Sequence, residues 1–124
     1  MAKARKMWLY DVTVDDVLIY VGISGNPAQR LRTHKHVKTV PKTAEIKPIR
    51  CFETFEEALA AEAARIKAKQ PPLNPKRHMT AKERRELEKR RKQIFKDAEY
   101  QAWLRECARW RKMWDEIEQM LEQT

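Results

Sequence analysis

Residues 7–36 read MWLYDVTVDDVLIYVGISGNPAQRLRTHKH, and their pattern predicts two strands followed by a helix. The first half of this stretch is rich in the aromatic and β-branched residues that favour strands, and Asp15-Asp16 divides it where a turn fits. The pattern predicts an antiparallel hairpin whose strands cover residues 6–13 and 17–23. Asn26 is then a good helix N-cap and Pro27 suits the first helical position, so we expect a short helix from Pro27 to about His36.

A further strand and a further helix follow this stretch. Residues 45–53 predict a third strand, in which Pro48 indicates a sheet edge or a bulge. Thr54 and Glu57 have the spacing of a capping box, before a helix that continues to about Lys69. The order β-β-α-β-α predicts an α+β fold for residues 1–79, with a central antiparallel three-stranded sheet flanked by helices.

Residues 80–124 predict a long helical extension of this domain. Thr80 and Glu83 form a second capping box, and neither Gly nor Pro occurs from there to Glu122. The second half of the extension carries apolar residues at alternating steps of three and four, which is a heptad pattern. We call these residues the aromatic seam: Tyr100, Trp103, Cys107, Trp110, Trp114, Ile117 and Leu121.

The aromatic seam predicts a buried contact, because three tryptophans are a large apolar surface to leave in water. Either the helix folds back onto its own domain, or it pairs with a second copy of the chain. Large aromatic residues fit a regular two-stranded coiled coil poorly, since such coils prefer Ile, Val and Leu. We therefore expect docking within the chain, and a monomer rather than a homodimer.

Composition and charge narrow the class of protein. The chain has 124 residues, a net charge of +9, 42% hydrophobic and 36% charged residues, which is typical of one small globular domain. No apolar run approaches the roughly 20 residues that span a bilayer, and no apolar stretch follows the basic residues 1–6 as in a secretory signal. We expect a cytoplasmic protein that does not bind a membrane. Residues 76–96 hold ten Lys and Arg against three Glu, which indicates either a nucleic-acid contact or a solvated helix face.

Three observations do not fit a plain hydrophobic core. On the helix after Thr54, Glu62 occupies a position of the apolar stripe, where a carboxylate is costly unless it is paired or binds a cation. Arg30 and His34 are four residues apart and project from one helix face, as a phosphate-binding guanidinium and a proton-transferring imidazole could. Tyr10 and Tyr20 lie on adjacent strands and could face the same side. Taken singly, each observation also has a structural explanation: an ion pair, a surface pair or ordinary strand tyrosines.

Taken in order, these residues resemble the GIY-YIG nuclease superfamily. Its first motif corresponds to Trp8-Leu9-Tyr10 and its second to Tyr20-Val21-Gly22, followed by Ser24 and Asn26. The segment Arg30-Leu31-Arg32-Thr33-His34 matches the family's arginine and the histidine or tyrosine one turn later. Glu62 matches its metal-binding glutamate, and Asn74, after Pro71-Pro72-Leu73, matches its late asparagine. The resemblance covers about residues 7–75.

The chain departs from the family pattern at three positions. Trp8 and Leu9 replace the glycine and isoleucine of the first motif, while both tyrosines are kept. Ile23 stands where some members have a lysine that helps to activate a tyrosine. The resemblance then implies that His34 serves in its place.

The resemblance implies a metal-dependent endonuclease that hydrolyses DNA phosphodiester bonds with Mg²⁺ or Mn²⁺. Glu62 would bind the metal, Arg30 would hold the charge on the phosphate, and Tyr10 or Tyr20 would be the general base. We expect Tyr10 to be the base with His34 as its proton partner, and Asn74 to orient the tyrosine or the substrate. The expected DNA-binding residues share a positive charge and lie on the first helix or in residues 82–91, which we call the basic block: Arg32, Lys82, Arg84, Arg85, Lys89, Arg90 and Arg91.

Two other classes stay open at this point. A non-catalytic DNA-binding module could keep the fold, although it would be expected to lose the metal ligand. A coiled-coil interaction protein would explain residues 96–124 but not the rest of the chain. Sequence specificity and biological role are beyond these patterns.

Overall fold

The computed structural model describes residues 6–76 and 78–123. Its strands and helices follow the predicted order, and their bounds are β1 Met7–Val14, β2 Val17–Ser24, α1 Pro27–His36, β3 Glu45–Phe52, α2 Phe55–Lys69 and α3 Ala81–Glu122. The predicted α+β fold is therefore confirmed. Residues 1–5 and Arg77 of the predicted domain and Thr124 of the predicted extension lie outside the described residues.

The three strands form one antiparallel sheet in the order β2-β1-β3. Asp15 and Asp16 join β1 to β2 with φ angles of 50° and 64°, the left-handed pair that a tight two-residue hairpin turn requires. β3 is an edge strand, and its register with β1 shifts beside Pro48, which lies opposite Tyr10. Pro48 therefore lies on an edge strand and also beside a bulge, and the sequence had indicated one or the other.

The register of the hairpin puts the two tyrosines on one face of the sheet. Tyr10 lies opposite Gly22, and Val12 lies opposite Tyr20, so the four side-chain positions share a face. β1 is the central strand, and it is buried on both faces from Leu9 to Val14. A helix or loop must therefore cover each side of it.

α2 covers the face of the sheet opposite the tyrosines. Ala58 is its buried residue, whereas Phe55 and Leu59 are 51% and 46% exposed. The sequence-based interpretation of a buried stripe through these positions is wrong, because the small Ala58 lets that side of the helix approach the sheet instead. Glu62 is half-buried beside this contact rather than in the centre of an apolar stripe.

A charged clamp holds α2 in this orientation. Arg65 donates from Nε to Asp11 Oδ1 at 2.7 Å and from Nη2 to Asp11 Oδ2 at 2.6 Å. Asp11 is 7% exposed, and a bidentate pair of this kind is among the more directional contacts that two side chains can make. The clamp fixes the rotation of α2 one turn away from Glu62.

The other face of the sheet is closed by the segment after α2 and by the first half of α3. Leu73 and Ala98 join the buried cluster that includes Tyr10 and Val12, and Leu87 and Ile94 of α3 pack against it. Arg105 Nη1 donates to Asp15 Oδ1 at 2.6 Å and ties the middle of α3 to the hairpin turn. α3 therefore does contact its own domain, but not through the aromatic seam.

The seam itself is exposed. Trp103, Trp110 and Trp114 are 57%, 54% and 57% exposed, so the expected docking of this face within the chain is wrong. The reason is geometric, because the contacts of Ile94, Ala98 and Arg105 already orient another face of the same helix toward the sheet. No helix in the described part of the chain is long and apolar enough to span a membrane.

Candidate active site

The two tyrosines and Gly22 form the centre of the candidate site. The rings of Tyr10 and Tyr20 lie 6.4 Å apart, centroid to centroid. A Cβ atom on Gly22 would lie 2.5 Å from the Tyr10 hydroxyl and 2.9 Å from the Tyr20 ring. Gly22 is needed here for space, since its φ is not in the left-handed region. Any larger residue would push the Tyr10 hydroxyl out of its place.

His34 adjoins both tyrosines from α1. Its Nε2 lies 3.4 Å from the Tyr10 hydroxyl, and its ring meets Tyr20 edge-on at 5.2 Å. His34 is 8% exposed, the one buried residue of its helix. The structure thus brings together three of the residues that the sequence singled out.

Thr39 determines which nitrogen of His34 carries the proton. Its Oγ1 donates to the His34 carbonyl oxygen at 3.1 Å, which uses the single hydroxyl proton. His34 Nδ1 lies 2.9 Å from the same Oγ1, and it donates to that oxygen in the tautomer that leaves the Thr39 hydroxyl bonded to the carbonyl. The lone pair of a neutral His34 is then on Nε2, where it can accept the hydroxyl proton of Tyr10.

Arg30 lies on the same face of α1 and links the buried tyrosine to the surface. Asn26 Oδ1 accepts from the backbone N–H of Gln29 at 3.2 Å and caps the helix as predicted, with Pro27 in its first turn. Arg30 is exposed and lines an open cleft of about 680 Å³ together with Lys6 and Asn26. A polyanionic chain in this cleft would meet the guanidinium.

Burial dominates the proton affinities in the site. It raises the pKa of Tyr10 to about 12, with a further rise from Tyr20 and an opposing effect of hydrogen bonding and charge from Arg30. Burial likewise raises the pKa of Tyr20, with the nearby Glu62 carboxylate as the next cause. For His34, burial and then the charge of Arg30 lower the pKa below its usual 6.5. At neutral pH both phenols are protonated and the imidazole is neutral.

Glu62 reaches the same end of β2 from the opposite side. Burial raises the pKa of its carboxyl, and hydrogen bonding from the backbone N–H of Ile23 opposes this rise. Glu62 forms no salt bridge with any residue in the described ranges. The structural explanation of Glu62 as half of an ion pair is therefore not supported.

Asn74 binds the edge of β2 in the manner of a neighbouring strand. Its Oδ1 accepts from Val21 N at 2.8 Å, and its Nδ2 donates to Val21 O at 2.8 Å. Leu73 N adds a bond to Ile19 O at 2.9 Å. Since Val21 lies between Tyr20 and Gly22, Asn74 holds the backbone that positions both.

The basic block lies next to this site, on the first turns of α3. Arg84 and Arg91 line a cleft of about 310 Å³ that is also lined by Tyr20 and His34. Arg91 pairs with Glu88 and is only half exposed. The other predicted DNA-binding residues are exposed: Arg32, Lys82, Arg84, Arg85, Lys89 and Arg90.

Sequence reasoning missed Thr39, Lys6 and the Arg65–Asp11 clamp. Thr39 meets His34 because α1 ends in a left-handed residue, Lys38, with φ 59°, and Thr39 N then bonds to the His34 carbonyl at 3.0 Å. Glycine is the usual residue for such a helix end. A lysine at this position does not indicate a turn. The sequence alone therefore does not predict that the Thr39 hydroxyl reaches His34.

Fold and site together bring two tyrosines, an arginine, a histidine and a glutamate to one end of a three-stranded sheet. A sequence profile described as the GIY-YIG catalytic domain matches residues 6–78. The match spans more than half of the chain, and the chain therefore belongs to the GIY-YIG family. It has no significant match among curated proteins and none among solved structures.

Proposed function

We propose that this protein is an endonuclease that hydrolyses DNA phosphodiester bonds with the help of one divalent metal ion. The observation that carries the proposal is the contact between the Tyr10 hydroxyl and His34 Nε2, at 3.4 Å, in a histidine whose tautomer leaves that nitrogen free to accept. A phenol aimed at a neutral imidazole is a proton path with a defined direction. A domain that only binds DNA has no need of it.

The proton path begins at the attacking water. Its proton passes to the Tyr10 oxygen while the hydroxyl proton of Tyr10 passes to His34 Nε2. Because the pKa of Tyr10 is raised to about 12, a free phenolate would be present in only about one molecule in ten thousand at pH 8. The two transfers are therefore coupled, and the phenol acts as a relay rather than as a preformed base.

Arg30 supplies the charge that the phosphate needs. Its guanidinium lowers the pKa of Tyr10, and Arg30 lines the cleft together with Lys6. When water attacks, a new P–O bond forms and the bond to the 3′ oxygen breaks, with negative charge spread over the phosphoryl oxygens. A fixed cation at this point stabilises that charge more than it stabilises the bound substrate.

Glu62 is the residue that would hold the metal ion. No group of three or more His, Cys, Asp and Glu that could hold a metal occurs among residues 6–76 and 78–123. A single unpaired carboxylate fits Mg²⁺ or Mn²⁺, since Mg²⁺ keeps several waters and takes substrate phosphate oxygens as ligands. An ion bound there supplies positive charge to the phosphate and to the leaving oxygen.

Asn74 and the basic residues have supporting roles in this proposal. Asn74 orients Tyr20 and Gly22 through the backbone of β2, and both of its amide groups are used in doing so. The exposed bases of α3 bind phosphates along the duplex. Arg84 and the half-exposed Arg91 border the cleft beside Tyr20 and His34, so they lie nearest to the cleaved strand.

The test is conversion of supercoiled plasmid to nicked or linear DNA in Mg²⁺, in Mn²⁺ and in chelator, with branched and damaged duplexes as further substrates. We expect cleavage that requires the metal and that is lost in Arg30→Ala. DNA binding without cleavage on every substrate, in both metals, would instead identify a non-catalytic module that keeps the fold.

A further inference from the structure

The aromatic seam on the second half of α3 is the largest feature that the nuclease site does not use. Trp103, Trp110 and Trp114 are each more than half exposed, and they follow one another along a single helix face. Monomeric proteins rarely leave an apolar patch of this extent in water. We therefore expect another protein surface to cover the seam.

The seam cannot turn toward its own domain without breaking the contacts that hold α3. Ala98 is 3% exposed in the core, and Arg105 is bonded to Asp15 at 2.6 Å. Trp103 is five residues from Ala98 and two from Arg105, which places it well away from both on a helix of 3.6 residues per turn. The helix is continuous through all 42 residues, so its two faces are fixed relative to each other.

We propose that the seam is the dimer interface of this protein, formed with the same seam of a second copy in antiparallel orientation. A two-fold axis at residue 112 places Trp110 of one copy opposite Trp114 of the other. Cys107 then lies opposite Ile117, and Trp103 opposite Leu121. Every seam residue from Trp103 onward meets a seam residue, as an isologous contact requires.

The charges along the seam determine the orientation. Residues 105–112 contain four Lys and Arg and one Glu, whereas residues 113–122 contain four Asp and Glu and no base. Antiparallel pairing about residue 112 puts the basic segment of each copy beside the acidic segment of the other. Parallel pairing would put like charges together, which disfavours it.

The side chains along the seam also suit this pairing. Large aromatics fit poorly in a regular coiled coil. Here a small residue faces a larger one where Cys107 meets Ile117, and tryptophans face tryptophans only in the two layers beside the axis. Offset stacking or edge-to-face packing of these rings adds to the area they bury. The interface is a short antiparallel helix pair, not an extended coiled coil.

The dimer is tested by the mass of the full-length protein in light scattering over a range of concentrations. The chain is 14.8 kDa, and we expect twice that mass, falling on dilution. Tryptophan emission should shift to longer wavelength as the dimer dissociates. A monomer at tens of micromolar would overturn the proposal, whether its tryptophan emission indicates exposed or buried rings.

Charge reversal tests the orientation with matched variants. Arg109→Glu, Arg111→Glu and Lys112→Glu together should weaken the dimer at least about tenfold, and so should Asp115→Lys, Glu116→Lys and Glu118→Lys together. All six changes in one chain restore opposite charges in the antiparallel dimer and should restore its mass. If the six-fold variant is folded but monomeric, the antiparallel pairing is wrong.

A control variant distinguishes the effect of charges along the seam from the effect of the net charge of the chain. Lys82→Glu, Lys89→Glu and Lys92→Glu make the same change in net charge on the first half of α3, and the dimer should persist. Trp110→Glu with Trp114→Glu should dissociate it, with an unchanged thermal midpoint for the catalytic domain. A dimer that survives the tryptophan changes uses another surface, which would equally refute the proposal. Because mass is the readout, the result is independent of nuclease activity.

Discussion

At the scale of single residues, the site places a neutral acceptor behind a buried phenol. Tyr10 is 1% exposed, and its hydroxyl is confined by Gly22, His34 and Arg30. Its burial keeps the phenol protonated, and the burial of His34 keeps the imidazole unprotonated. The same physical cause therefore prepares both partners for a coupled transfer.

Tyr10→Phe should reduce cleavage about 10²–10⁴-fold, the usual loss when a proton-transferring group is removed. Phenylalanine keeps the buried ring, so the thermal midpoint should change little. Tyr20→Phe is the comparison, since the Tyr20 hydroxyl has no hydrogen bond to another described residue. A fully active Tyr10→Phe beside an inactive Tyr20→Phe would mean that the tyrosine roles are reversed.

The pH dependence follows from the lowered pKa of His34. In the proposed mechanism cleavage requires the neutral imidazole, so the rate should fall as pH falls through a pKa below 6.5 and should be level from about pH 7 upward. Thr39→Val removes the acceptor of the Nδ1 proton and destabilises the charged form most. We expect a plateau lower by about tenfold, the cost of one hydrogen bond to an ionisable group, and an acid limb moved to lower pH.

Single-turnover rates across pH measure both effects of the Thr39 change. Thr39→Ser keeps the hydroxyl and should keep the wild-type profile. If Thr39→Val lowers the plateau without moving the acid limb, Thr39 supports the fold and does not set the tautomer.

Glu62→Gln should abolish cleavage without loss of stability. Burial raises the pKa of Glu62 in the folded protein, so the native state holds its proton more tightly than the unfolded chain does. Stability from this group is present at low pH and is lost as pH rises through the raised pKa. At pH 7.5 the neutral variant should therefore have an equal or higher thermal midpoint, with the difference vanishing near pH 4.

Metal binding gives the Glu62 change a second readout. Mg²⁺ should raise the thermal midpoint of the wild type but not of Glu62→Gln. Glu56→Gln is the matched control, because Glu56 is exposed on the same helix and should change neither midpoint nor cleavage. A cleaving Glu62→Gln enzyme would show that the metal is held elsewhere.

At the scale of elements, α3 has different tasks along its length. Its first turns present bases beside the cleft shared with Tyr20 and His34, its middle packs on the sheet, and its end carries the seam. The packed positions 87, 94 and 98 lie on one face, and Lys89, Arg90 and Lys92 between them are exposed, whereas Arg91 is half-buried. The exposed bases are therefore free for phosphates.

Neutralising Lys82, Arg85 and Lys89 should weaken binding of all DNA sequences alike. Each lost phosphate contact lowers the slope of log affinity against log salt by about one. Fluorescence anisotropy over a salt series measures this slope. An unchanged slope would show that these residues form only a solvated helix face.

At the scale of the whole molecule, the core extends into α3 as far as its middle. Ala98 is buried with Tyr10 and Leu73, while the residues after Arg105 are mostly exposed. A chain ending at residue 108 should therefore keep the thermal midpoint of the catalytic domain. A chain ending at residue 79 loses the cover supplied by Leu87, Ile94 and Ala98, and should be destabilised by several kcal/mol, the usual scale for exposing a few core side chains. Thermal unfolding of the two chains compares them, and equal midpoints would mean that α3 adds nothing to the core.

The sequence by itself determined the elements, their order and the residues of the candidate site. Strand propensity, the Asp15-Asp16 turn and the N-caps Asn26, Thr54 and Thr80 are local signals, and local hydrogen bonds enforce them. The motif residues could also be identified from the sequence, because the family is recognised by their order and spacing along the chain.

Which helix faces are buried depends on contacts between residues that are far apart in the sequence. The rotation of α2 depends on Ala58 and on the Arg65–Asp11 pair, whose members are 54 residues apart in sequence. The orientation of the aromatic seam depends on Ala98 and Arg105, which contact distant parts of the chain. A periodic pattern identifies the apolar side of a helix, but small residues and long-range ion pairs determine which side faces the sheet. For that reason the seam, although it follows a regular heptad pattern, lies on the outside of the domain.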